Sequence, residues 1–597
     1  MKRIRVAGAL LAITPLSLAQ FFPAAPTGLT NITSKVNKQV QISYKETHIC
    51  ETTPGVKSYS GYVYLPGSVL ADVGGFDINT FFLYVEARHN ASTAPLGVYF
   101  AGGPGESSIY TGMASESGPC YVNVAGNDTT LNPWSFNNDV NMLFIDQPVQ
   151  TGFSFDTLVN GTYNLTDEII QPLDFNSSFA AYIDPLTSFG TFSTQDPLHT
   201  TNTTVSSGRA VWHFAEHWLS SFPKYTTSSD KISFWGNSYG GWWVPEAAAQ
   251  FAKNIKTLPA KHPLKHRNMK FDTLGITNGC IDFEYGLTGF PQYAYNNTYG
   301  VHFYSEAQYN QAMENITSPG GALDLIRACR AAGLAGDPTF LGNNETVNEI
   351  CEEAFAQSFS IISASDALNN RSAFDIAVHQ PEPCTFDIAV TNYLNRPDVQ
   401  EALGVPLNFT YDSNLMNAVY GFPVPQYAFL GTGDPVRQAG LPNLEYLLAN
   451  GVKVTLVYGD RDYRCPWTGA ETTAKAAKWA HQQGFHSAGY EKIQGVKGGR
   501  QGVVKQFGLL SFSRVFDAGH AVNAYAPEAV YRIFERAMSG KDIATGSKPA
   551  IAVGYHTTGP TDSWSWRNTL PADVPHTCMV EGNWTATNPW EPLLGPQ

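Results

Sequence analysis

One serine in this chain has the local sequence of a catalytic nucleophile. Ser238 lies in GNSYG (236–240), between an apolar stretch and a helical pattern that begins near Val244. A G-x-S-x-G element between a strand and a helix predicts a sharp turn that exposes the serine hydroxyl. An ordinary strand-to-helix turn is the alternative interpretation, and the flanking elements favour the nucleophile.

A serine hydroxyl reacts only when a base takes its proton, and the base needs an orienting carboxylate. Two later segments supply these groups in the order Ser, Asp, His. Asp462 follows the apolar run VKVTLVYG (452–459), and His520 follows a glycine turn in AGHAVN (518–523). The sequence therefore predicts a Ser238–Asp462–His520 triad, with Asp460 as the competing carboxylate.

A glycine-rich turn offers a second catalytic element. The segment YFAGGPGES (99–107) directly follows a predicted strand. Backbone N–H groups in such a turn stabilise the oxyanion of a tetrahedral intermediate. We expect the N–H groups of Gly103 and Tyr239 to do so, although a plain tight turn would give the same pattern.

The elements that must position these residues alternate between strands and helices. Helical patterns at 210–221 and 245–255 separate several short apolar runs, which are typical of a largely parallel sheet covered on both faces. The predicted fold is therefore α/β with a mostly parallel central sheet. The predicted strands are 81–85, 97–100, 141–145, 232–235, 274–277 and 454–458.

About 175 residues separate the strand ending near Asn278 from the one beginning near Val454, too many for a connecting loop. We interpret part of this stretch as a helical cap over the carboxyl edge of the sheet. The predicted organisation is a signal peptide at 1–19, a first part of the core at 20–282, the inserted cap at 283–385 and a second part of the core at 386–597. Residues 153–208, rich in Asn, Thr and Ser, form a second surface excursion.

The first residues predict a secreted protein. Lys2, Arg3 and Arg5 precede an apolar run that ends in a small-residue cleavage pattern before Gln20. A membrane anchor is the alternative, but the run is too short and contains Pro15. The many N-glycosylation sequons agree with a secretory route. Their asparagines are Asn31, Asn90, Asn127, Asn160, Asn164, Asn176, Asn202, Asn296, Asn315, Asn344, Asn370, Asn408 and Asn583.

Composition excludes several classes of protein. A net charge of -14 without basic runs argues against nucleic-acid binding. Cysteine spacing does not predict a zinc site, and in an oxidising compartment most of the eight cysteines should pair. The best local candidate is Cys329–Cys351, and the other pairings do not follow from the sequence. The remaining cysteines are Cys50, Cys120, Cys280, Cys384, Cys465 and Cys578.

Several ordered motifs together resemble the serine carboxypeptidases, the family that includes carboxypeptidase Y and fungal carboxypeptidase S1. The similarity runs over most of the mature chain. The motifs are YSGYVYLPG (59–67), GGPG (102–105), IDQPVQTGFSF (145–155), GNSYGG (236–241), NYLNRPDVQEALGV (392–405), GDRDYRCPW (459–467) and AGHAVN (518–523).

The resemblance implies an α/β-hydrolase fold and the release of single C-terminal residues from peptides through an acyl-enzyme, without metal or cofactor and often at acidic pH. It implies that Ser238 is the nucleophile, His520 the base and Asp462 the orienting carboxylate. It also implies that Cys465 lies near the substrate pocket as an unpaired thiol. The expected partners are peptide substrates, with no nucleic acid and no membrane. We expect a monomer or homodimer that is extracellular or resides in a vacuolar or lysosome-like compartment.

The chain departs from the family where the substrate's terminal carboxylate binds. Ala101 replaces the usual asparagine and Asn237 the usual glutamate, while Glu116 matches a second glutamate. Asn237 donates N–H bonds to a carboxylate without being protonated, so Asn237 and Glu116 are the predicted carboxylate-binding pair. Glu106 replaces a loop cysteine, which leaves Cys384 without its family partner.

Two other functions remain open at this stage. An esterase or acyltransferase would use the same fold and triad. A non-catalytic homologue is the third possibility, although the intact triad argues against it. Three tryptophans that follow catalytic motifs, Trp242, Trp243 and Trp467, either line the substrate pocket or pack in the core.

Overall fold

The computed structural model describes residues 22–114, 117–164, 170–172, 187–363, 370–379, 387–410, 424–497, 501–551 and 554–570. Its strands are β1 (Thr30–Thr33), β2 (Gln41–Thr47), β3 (Ser58–Leu65), β4 (Ile78–Val85), β5 (Leu96–Phe100), β6 (Cys120–Val122), β7 (Thr129–Leu131), β8 (Asn141–Ile145), β9 (Leu158–Asn164), β10 (Ile170–Pro172), β11 (Thr187–Ser193), β12 (Lys231–Asn237), β13 (Lys270–Thr277), β14 (Lys453–Gly459), β15 (Tyr490–Lys492), β16 (Gly502–Phe507) and β17 (Leu510–Val515).

The helices fall between and after these strands. They are α1 (Ser108–Ala114), α2 (Thr204–Ser221), α3 (Gly240–Thr257), α4 (Pro263–His266), α5 (Phe283–Gly286), α6 (Gly289–Tyr295), α7 (Glu306–Thr317), α8 (Ala322–Gly336), α9 (Glu345–Ser363), α10 (Asp387–Leu394), α11 (Pro397–Leu403), α12 (Val424–Gly431), α13 (Asp434–Arg437), α14 (Leu441–Ala449), α15 (Trp467–Ala476), α16 (Gln482–Ser487), α17 (Val522–Tyr525) and α18 (Pro527–Ser539).

Twelve strands form one sheet in the order β1-β2-β3-β4-β8-β5-β12-β13-β14-β17-β16-β15. The six central strands, from β8 to β17, run parallel. The strands outside them pair antiparallel at both edges. The predicted α/β fold with a parallel central sheet is confirmed, and the antiparallel extensions are additional to it.

Apolar side chains on successive residues of the central strands point to opposite faces, and each face has its own core. Phe234 and Leu456 pack in one cluster with residues of α2 and α3. Their neighbours Trp235 and Val457 pack in the other, where Trp235 contacts Phe534 of α18 with 4.9 Å between ring centroids. Burial on both faces explains why these strands are continuous apolar runs in the sequence.

The described part of the region between β13 and β14 is mostly helical. Helices α5 to α9 occupy residues 283–363, and α8 and α9 are joined by the disulfide Cys329–Cys351, so that predicted pairing is confirmed. The predicted excursion at 153–208 contains β9, β10 and β11, which form a separate antiparallel sheet. The domain boundaries proposed from the sequence remain predictions.

The predicted glycosylation sites differ in exposure. Asn202, Asn296, Asn344 and Asn408 are partly buried, and Asn164 lies at the end of β9. Asn176 and Asn583 lie outside the described residues, as do the predicted signal peptide at 1–19, Cys384 and Cys578. The exposed sites are Asn31, Asn90, Asn127, Asn160, Asn315 and Asn370.

Among the described residues, the helices are all too short or too polar to span a membrane.

Candidate active site

The predicted nucleophile lies on a left-handed turn between β12 and α3. Ser238 has a φ of +53°, a conformation that L-residues rarely adopt. The turn is anchored because Ser238 N donates to Thr277 O at 3.1 Å and Gly241 N donates to Ser238 O at 2.9 Å. The sharp turn lifts the serine out of the strand at the carboxyl edge of the sheet, as the motif predicts.

Close backbone approaches explain two glycines at this turn. A Cβ on Gly241 would lie 2.2 Å from the carbonyl oxygen of Cys280. A Cβ on Gly102, in the loop after β5, would lie 2.5 Å from Ser238 Cβ and 3.0 Å from Tyr239 N. The glycine loop therefore packs directly against the nucleophile, and only a residue without a side chain fits there.

The predicted base and carboxylate meet at the ends of β14 and β17. His520 Nδ1 lies 2.8 Å from Asp462 Oδ2, and both side chains are largely buried. The backbone N–H groups of Arg464 and Cys465 donate to Asp462 Oδ1 at 2.8 and 3.3 Å. A carboxylate held in this way fixes the orientation of the imidazole.

His520 Nε2 is buried and has no hydrogen-bond partner among the described residues. Ser238 Oγ and His520 Nε2 therefore do not form a hydrogen bond in this structure. Catalytic hydrogen bonds are often long without substrate and shorten in the Michaelis complex. The backbone of His520 is held because its N–H donates to Phe374 O at 2.8 Å, and the Phe374 ring packs edge-on against the imidazole with 5.2 Å between the ring centroids.

Asn278 is a second side-chain partner of Asp462 that the sequence did not indicate. It follows β13 and donates from Nδ2 to Asp462 Oδ2 at 2.8 Å, while its Oδ1 accepts from Gly459 N at 3.1 Å. Strands β13 and β14 are neighbours, so the residues after them meet at one edge of the sheet. The asparagine that ends the apolar run of β13 was the available signal.

The competing carboxylate, Asp460, has a different environment. It accepts hydrogen bonds from Tyr299 Oη at 2.5 Å, Asp517 N at 2.9 Å and Asn568 Nδ2 at 3.1 Å. Burial raises the pKa of Asp460 to about 6. Its contacts join three separate segments and do not include His520, so the geometry favours Asp462 as the orienting carboxylate.

The predicted oxyanion donors lie beside the nucleophile. No described residue accepts a hydrogen bond from the backbone N–H of Gly103 or Tyr239. Tyr239 is fixed through its side chain, since its hydroxyl donates to Asp434 Oδ2 at 2.7 Å. Asp434 also accepts from the backbone and hydroxyl of Thr204 at the start of α2. Asp434 thus fixes the side chain of a predicted oxyanion donor from 195 residues away.

The glycine loop is fixed by another buried carboxylate. Asp146, directly after β8, accepts hydrogen bonds from Ser107 Oγ at 2.8 Å, Ile109 N at 3.3 Å and Phe153 N at 3.0 Å. Burial raises the pKa of Asp146 to about 6. These contacts connect the start of α1 to the turn after β8 and thereby hold the loop against Ser238.

The predicted carboxylate-binding residues are only partly described. Asn237 is the last residue of β12 and is 4% exposed. Glu116 lies outside the described residues. Its neighbour Ser117 accepts a hydrogen bond at Oγ from Asn523 Nδ2 at 2.6 Å, which joins this segment to the turn after His520. The binding role of Asn237 and Glu116 remains a prediction.

A cavity of about 330 Å³ opens at the nucleophile. Of the three tryptophans considered from the sequence, Trp242 lines it, whereas Trp243 and Trp467 are fully buried in the core. Helix α9 provides much of the wall. The remaining lining residues are Gly103, Pro104, Ser238, Tyr239, Cys280, Phe283, Glu352, Phe355, Ala356, Phe359, Ile362, Leu430, Gly431, Pro435, Arg464 and Cys465.

The expectation of an unpaired thiol at Cys465 is wrong. Cys465 forms a disulfide with Cys280, with their Cα atoms 5.2 Å apart. The two cysteines follow the adjacent strands β13 and β14, and this adjacency brings them together. A third disulfide joins Cys50 and Cys120. The described residues contain no cluster of side chains suited to binding a metal ion.

Comparison with known proteins agrees with this geometry. The sequence profile of the serine carboxypeptidases matches residues 49–540. This chain belongs to the serine carboxypeptidase family. It is 40% identical over 573 residues to carboxypeptidase S1 homolog A of Arthroderma otae, a match that spans 94% of this chain and 86% of the relative. It is 36% identical over 576 residues to a carboxypeptidase Y homolog of Arthroderma benhamiae, covering 95% and 89%.

A solved structure agrees with the fold. The prohormone-processing carboxypeptidase Kex1(delta)p of Saccharomyces cerevisiae superposes with a TM-score of 0.53 and 17% identity, over 81% of this chain and 92% of that chain. At this identity the likeness concerns the α/β-hydrolase fold alone. Membership of the serine carboxypeptidase family makes this chain a serine-type carboxypeptidase, a hydrolase.

Proposed function

We propose that the chain releases C-terminal amino acids from peptides through an acyl-enzyme on Ser238. The observation that carries this proposal is the 2.8 Å contact between His520 Nδ1 and Asp462 Oδ2 at the sheet edge where the left-handed turn presents Ser238. The three groups occur in the chain order of α/β-hydrolases.

In the proposed reaction, Ser238 Oγ transfers its proton to His520 Nε2 and attacks the last peptide carbonyl. The N–H groups of Gly103 and Tyr239 donate to the resulting oxyanion, and Asp462 stabilises the imidazolium. His520 then gives the proton to the leaving nitrogen as the C–N bond breaks. A water molecule, deprotonated by His520, hydrolyses the acyl-enzyme and regenerates the serine.

Restriction to the last residue requires a site for the terminal carboxylate. Ala101 has no polar side chain, so we assign this role to Asn237 with support from Glu116. An amide donates to a carboxylate without sharing a proton, so the contribution of Asn237 does not depend on its own protonation, whereas Glu116 contributes only while it shares a proton with the substrate. This assignment supports an exopeptidase whose recognition differs chemically from that of a glutamate pair.

The test uses N-blocked dipeptides as free acids, as C-terminal amides and as simple esters. Ser238→Ala is expected to abolish release of the terminal amino acid. Ser233→Ala is the matched control, because the Ser233 hydroxyl is buried on β12 with no hydrogen-bond partner among the described residues. Hydrolysis of the acids but not the amides would support the proposal. Ester hydrolysis without peptide hydrolysis would contradict it.

That second outcome would identify an esterase or acyltransferase, the alternative that the altered carboxylate site favours. The observation that favours an esterase or acyltransferase is that Ala101 and Asn237 replace the asparagine and glutamate usual in the family. The same panel of substrates therefore decides between the two functions on one preparation of enzyme.

We also propose that residues 1–19 are removed on secretion and that the exposed sequons carry glycans. Sequencing the N-terminus of the secreted protein tests the cleavage site. Mass analysis before and after enzymatic deglycosylation tests the glycans, with Asn31, Asn90 and Asn315 as exposed candidates. An unprocessed terminus beginning at Met1 would contradict the proposed leader.

A further inference from the structure

Arg464 lies in the wall of the cavity beside the nucleophile. It follows Asp462 by two residues, and its backbone N–H is used to hold that carboxylate. Its side chain lines the same cavity as Ser238 and Trp242. A cation thus occupies a position where a substrate side chain would be bound.

The guanidinium of Arg464 makes aromatic contacts but no polar ones within the described part of the chain. Its central carbon lies 5.6 Å from the ring centroid of Phe359 and 5.8 Å from that of Phe374. No described carboxylate pairs with it, and no described oxygen accepts its N–H groups. By contrast, Arg461 is paired with Asp375 at 2.8 Å.

A guanidinium has five N–H donors in a planar arrangement that matches a carboxylate. Leaving such a group partly desolvated and unpaired is unfavourable. Burial lowers the pKa of Arg464, while the negative charge of Asp462 opposes this shift. The side chain remains charged, since arginine is not deprotonated in proteins at ordinary pH. The site therefore favours an anion from outside the chain.

The rest of the cavity determines what kind of anion fits. Phe283, Phe355, Phe359, Ile362 and Leu430 supply apolar walls. Apolar walls bind a methylene stem, and the single cation binds its charged end. A cavity of about 330 Å³ accommodates a whole side chain of this kind. Glutamate has both features, and aspartate has a shorter stem.

We propose that Arg464 is a specificity-determining residue that binds the side-chain carboxylate of an acidic residue on the acyl side of the scissile bond, favouring substrates with a penultimate glutamate. This inference rests on the proposed carboxypeptidase function. It assigns the cavity to the penultimate side chain because Asn237, the proposed partner of the terminal carboxylate, does not line it.

Glu352 is the other charged side chain in the wall of the cavity. It already has an interaction partner within the protein and does not form an ion pair with Arg464. A preference set by Glu352 would favour basic side chains, the opposite of the proposed preference. Variants of Arg464 and of Glu352 are therefore expected to change the preference for acidic or basic substrate side chains in opposite directions.

The experiment compares N-blocked dipeptides that share one C-terminal residue and carry Glu, Gln, Leu or Lys before it, near pH 6 where a glutamate side chain is ionised. For the wild-type enzyme, kcat/KM for Glu should exceed that for Gln by at least about tenfold, because a charge-assisted hydrogen bond is lost with Gln. In Arg464→Met this ratio should approach one, and Arg464→Glu should favour Lys. Using a ratio within each enzyme removes any general effect on catalysis.

Glu352→Gln is the matched control, since it removes the opposite charge from the same cavity and should retain the preference for Glu. An equal Glu-to-Gln ratio in the wild type and Arg464→Met would overturn the proposal. A second outcome would also overturn it: Arg464→Met keeps the Glu-to-Gln ratio but no longer discriminates between peptide acids and their C-terminal amides. That result would assign Arg464 to the terminal carboxylate of the substrate. If the wild-type enzyme hydrolyses none of these dipeptides, including the one with Leu, the carboxypeptidase function itself would be refuted.

Discussion

Asp462, the proposed orienting carboxylate, receives a hydrogen bond from a side chain 184 residues away, in addition to those from the two backbone N–H groups of Arg464 and Cys465. Asn278 has a φ of +44° and makes no contribution to the cavity wall. Its amide acts on the reaction only through Asp462. Asn278 is therefore a positioning residue whose contribution should appear in kcat rather than in KM.

Replacing Asn278 with glycine should lower kcat by about tenfold to a hundredfold, because a hydrogen bond to a charged group contributes roughly 1.5–3 kcal/mol. KM should change little. Glycine tolerates the left-handed backbone, so the variant isolates the loss of the amide. Asn268→Gly is the control, since Asn268 has a similar φ of +50° on a loop before β13. Equal kcat values for the two variants would contradict the positioning role.

A second prediction at the residue scale concerns Asn237. In Asn237→Glu a carboxylate would face the substrate's terminal carboxylate, and the pair must share a proton to bind. The activity of this variant should therefore fall as the pH rises from about 4 to 8, whereas the wild-type enzyme should keep more of its activity over that range. Hydrolysis of one blocked dipeptide across the range checks this. A steep acid optimum in the wild type would count against the role given to Asn237.

The limits of sequence reasoning at this scale follow from how each residue is recognised. Ser238 and His520 lie in local motifs, so their roles could be predicted without the fold. Asn278 and Asp434 act on residues more than 180 positions away. Their partners are determined by which strands and helices are neighbours, and a single sequence does not contain that information.

At the scale of elements, five of the six central parallel strands were predicted closely, whereas β17 (Leu510–Val515) was missed because serine and arginine interrupt its apolar residues. The run at 141–145 coincides with β8, and the run at 454–458 lies within β14. The antiparallel edge strands, β1 to β3 and β15 to β16, were not predicted because their residues are less uniformly apolar. The same limit applies to Cys465, whose partner is determined by the adjacency of β13 and β14.

The disulfide Cys280–Cys465 joins the loops that carry Asn278 and Asp462 and also lines the cavity. Removing it as Cys280→Ser with Cys465→Ser should lower kcat/KM as well as stability. In the loop-entropy model, Cys280–Cys465, with a sequence separation of 185 residues, stabilises the fold by about 5 kcal/mol. Cys329–Cys351, with a separation of 22 residues, stabilises it by about 3 kcal/mol. Steady-state kinetics and chemical denaturation measure the two effects separately.

The matched control is Cys329→Ser with Cys351→Ser, which removes a disulfide between α8 and α9 without touching the triad loops. It should lower stability and leave kcat/KM nearer to the wild-type value. Alkylation of Cys465 by iodoacetamide in the folded, unreduced enzyme would contradict the pairing itself. A similar loss of kcat/KM in both double variants would show that the active-site disulfide has no special effect.

At the scale of the whole molecule, buried titratable groups couple stability to pH with opposite signs. Asp146 and Asp460 have pKa values raised to about 6, so they bind protons more readily when folded, and they lower stability as pH rises from about 4 to 6. His217 has its pKa lowered to about 4 by burial. The unfolded chain binds its proton more readily, so His217 lowers stability as pH falls from about 6.5 to 4.

His217→Gln should remove this second dependence. The stability of the wild type relative to the variant should fall by about 3 kcal/mol between pH 7 and pH 4, because burial lowers the pKa of His217 from 6.5 to about 4. Urea denaturation at several pH values measures it. Ser34→Ala is the control, because Ser34 Oγ lies 2.7 Å from His217 Nδ1. That variant should lose stability without a comparable change of slope, and a pH-independent difference for His217→Gln would refute the prediction.

The bond between Cys280 and Cys465 encloses the whole chain between β13 and the loop after β14, including helices α5 to α14. Both ends of this enclosed segment are attached to the same edge of the sheet. A protease that cuts once anywhere between the two cysteines therefore leaves two polypeptides that are still covalently joined beside the proposed triad. Such a nicked molecule would migrate as one species until it is reduced, and it would retain the connection between the residues that hold Asp462.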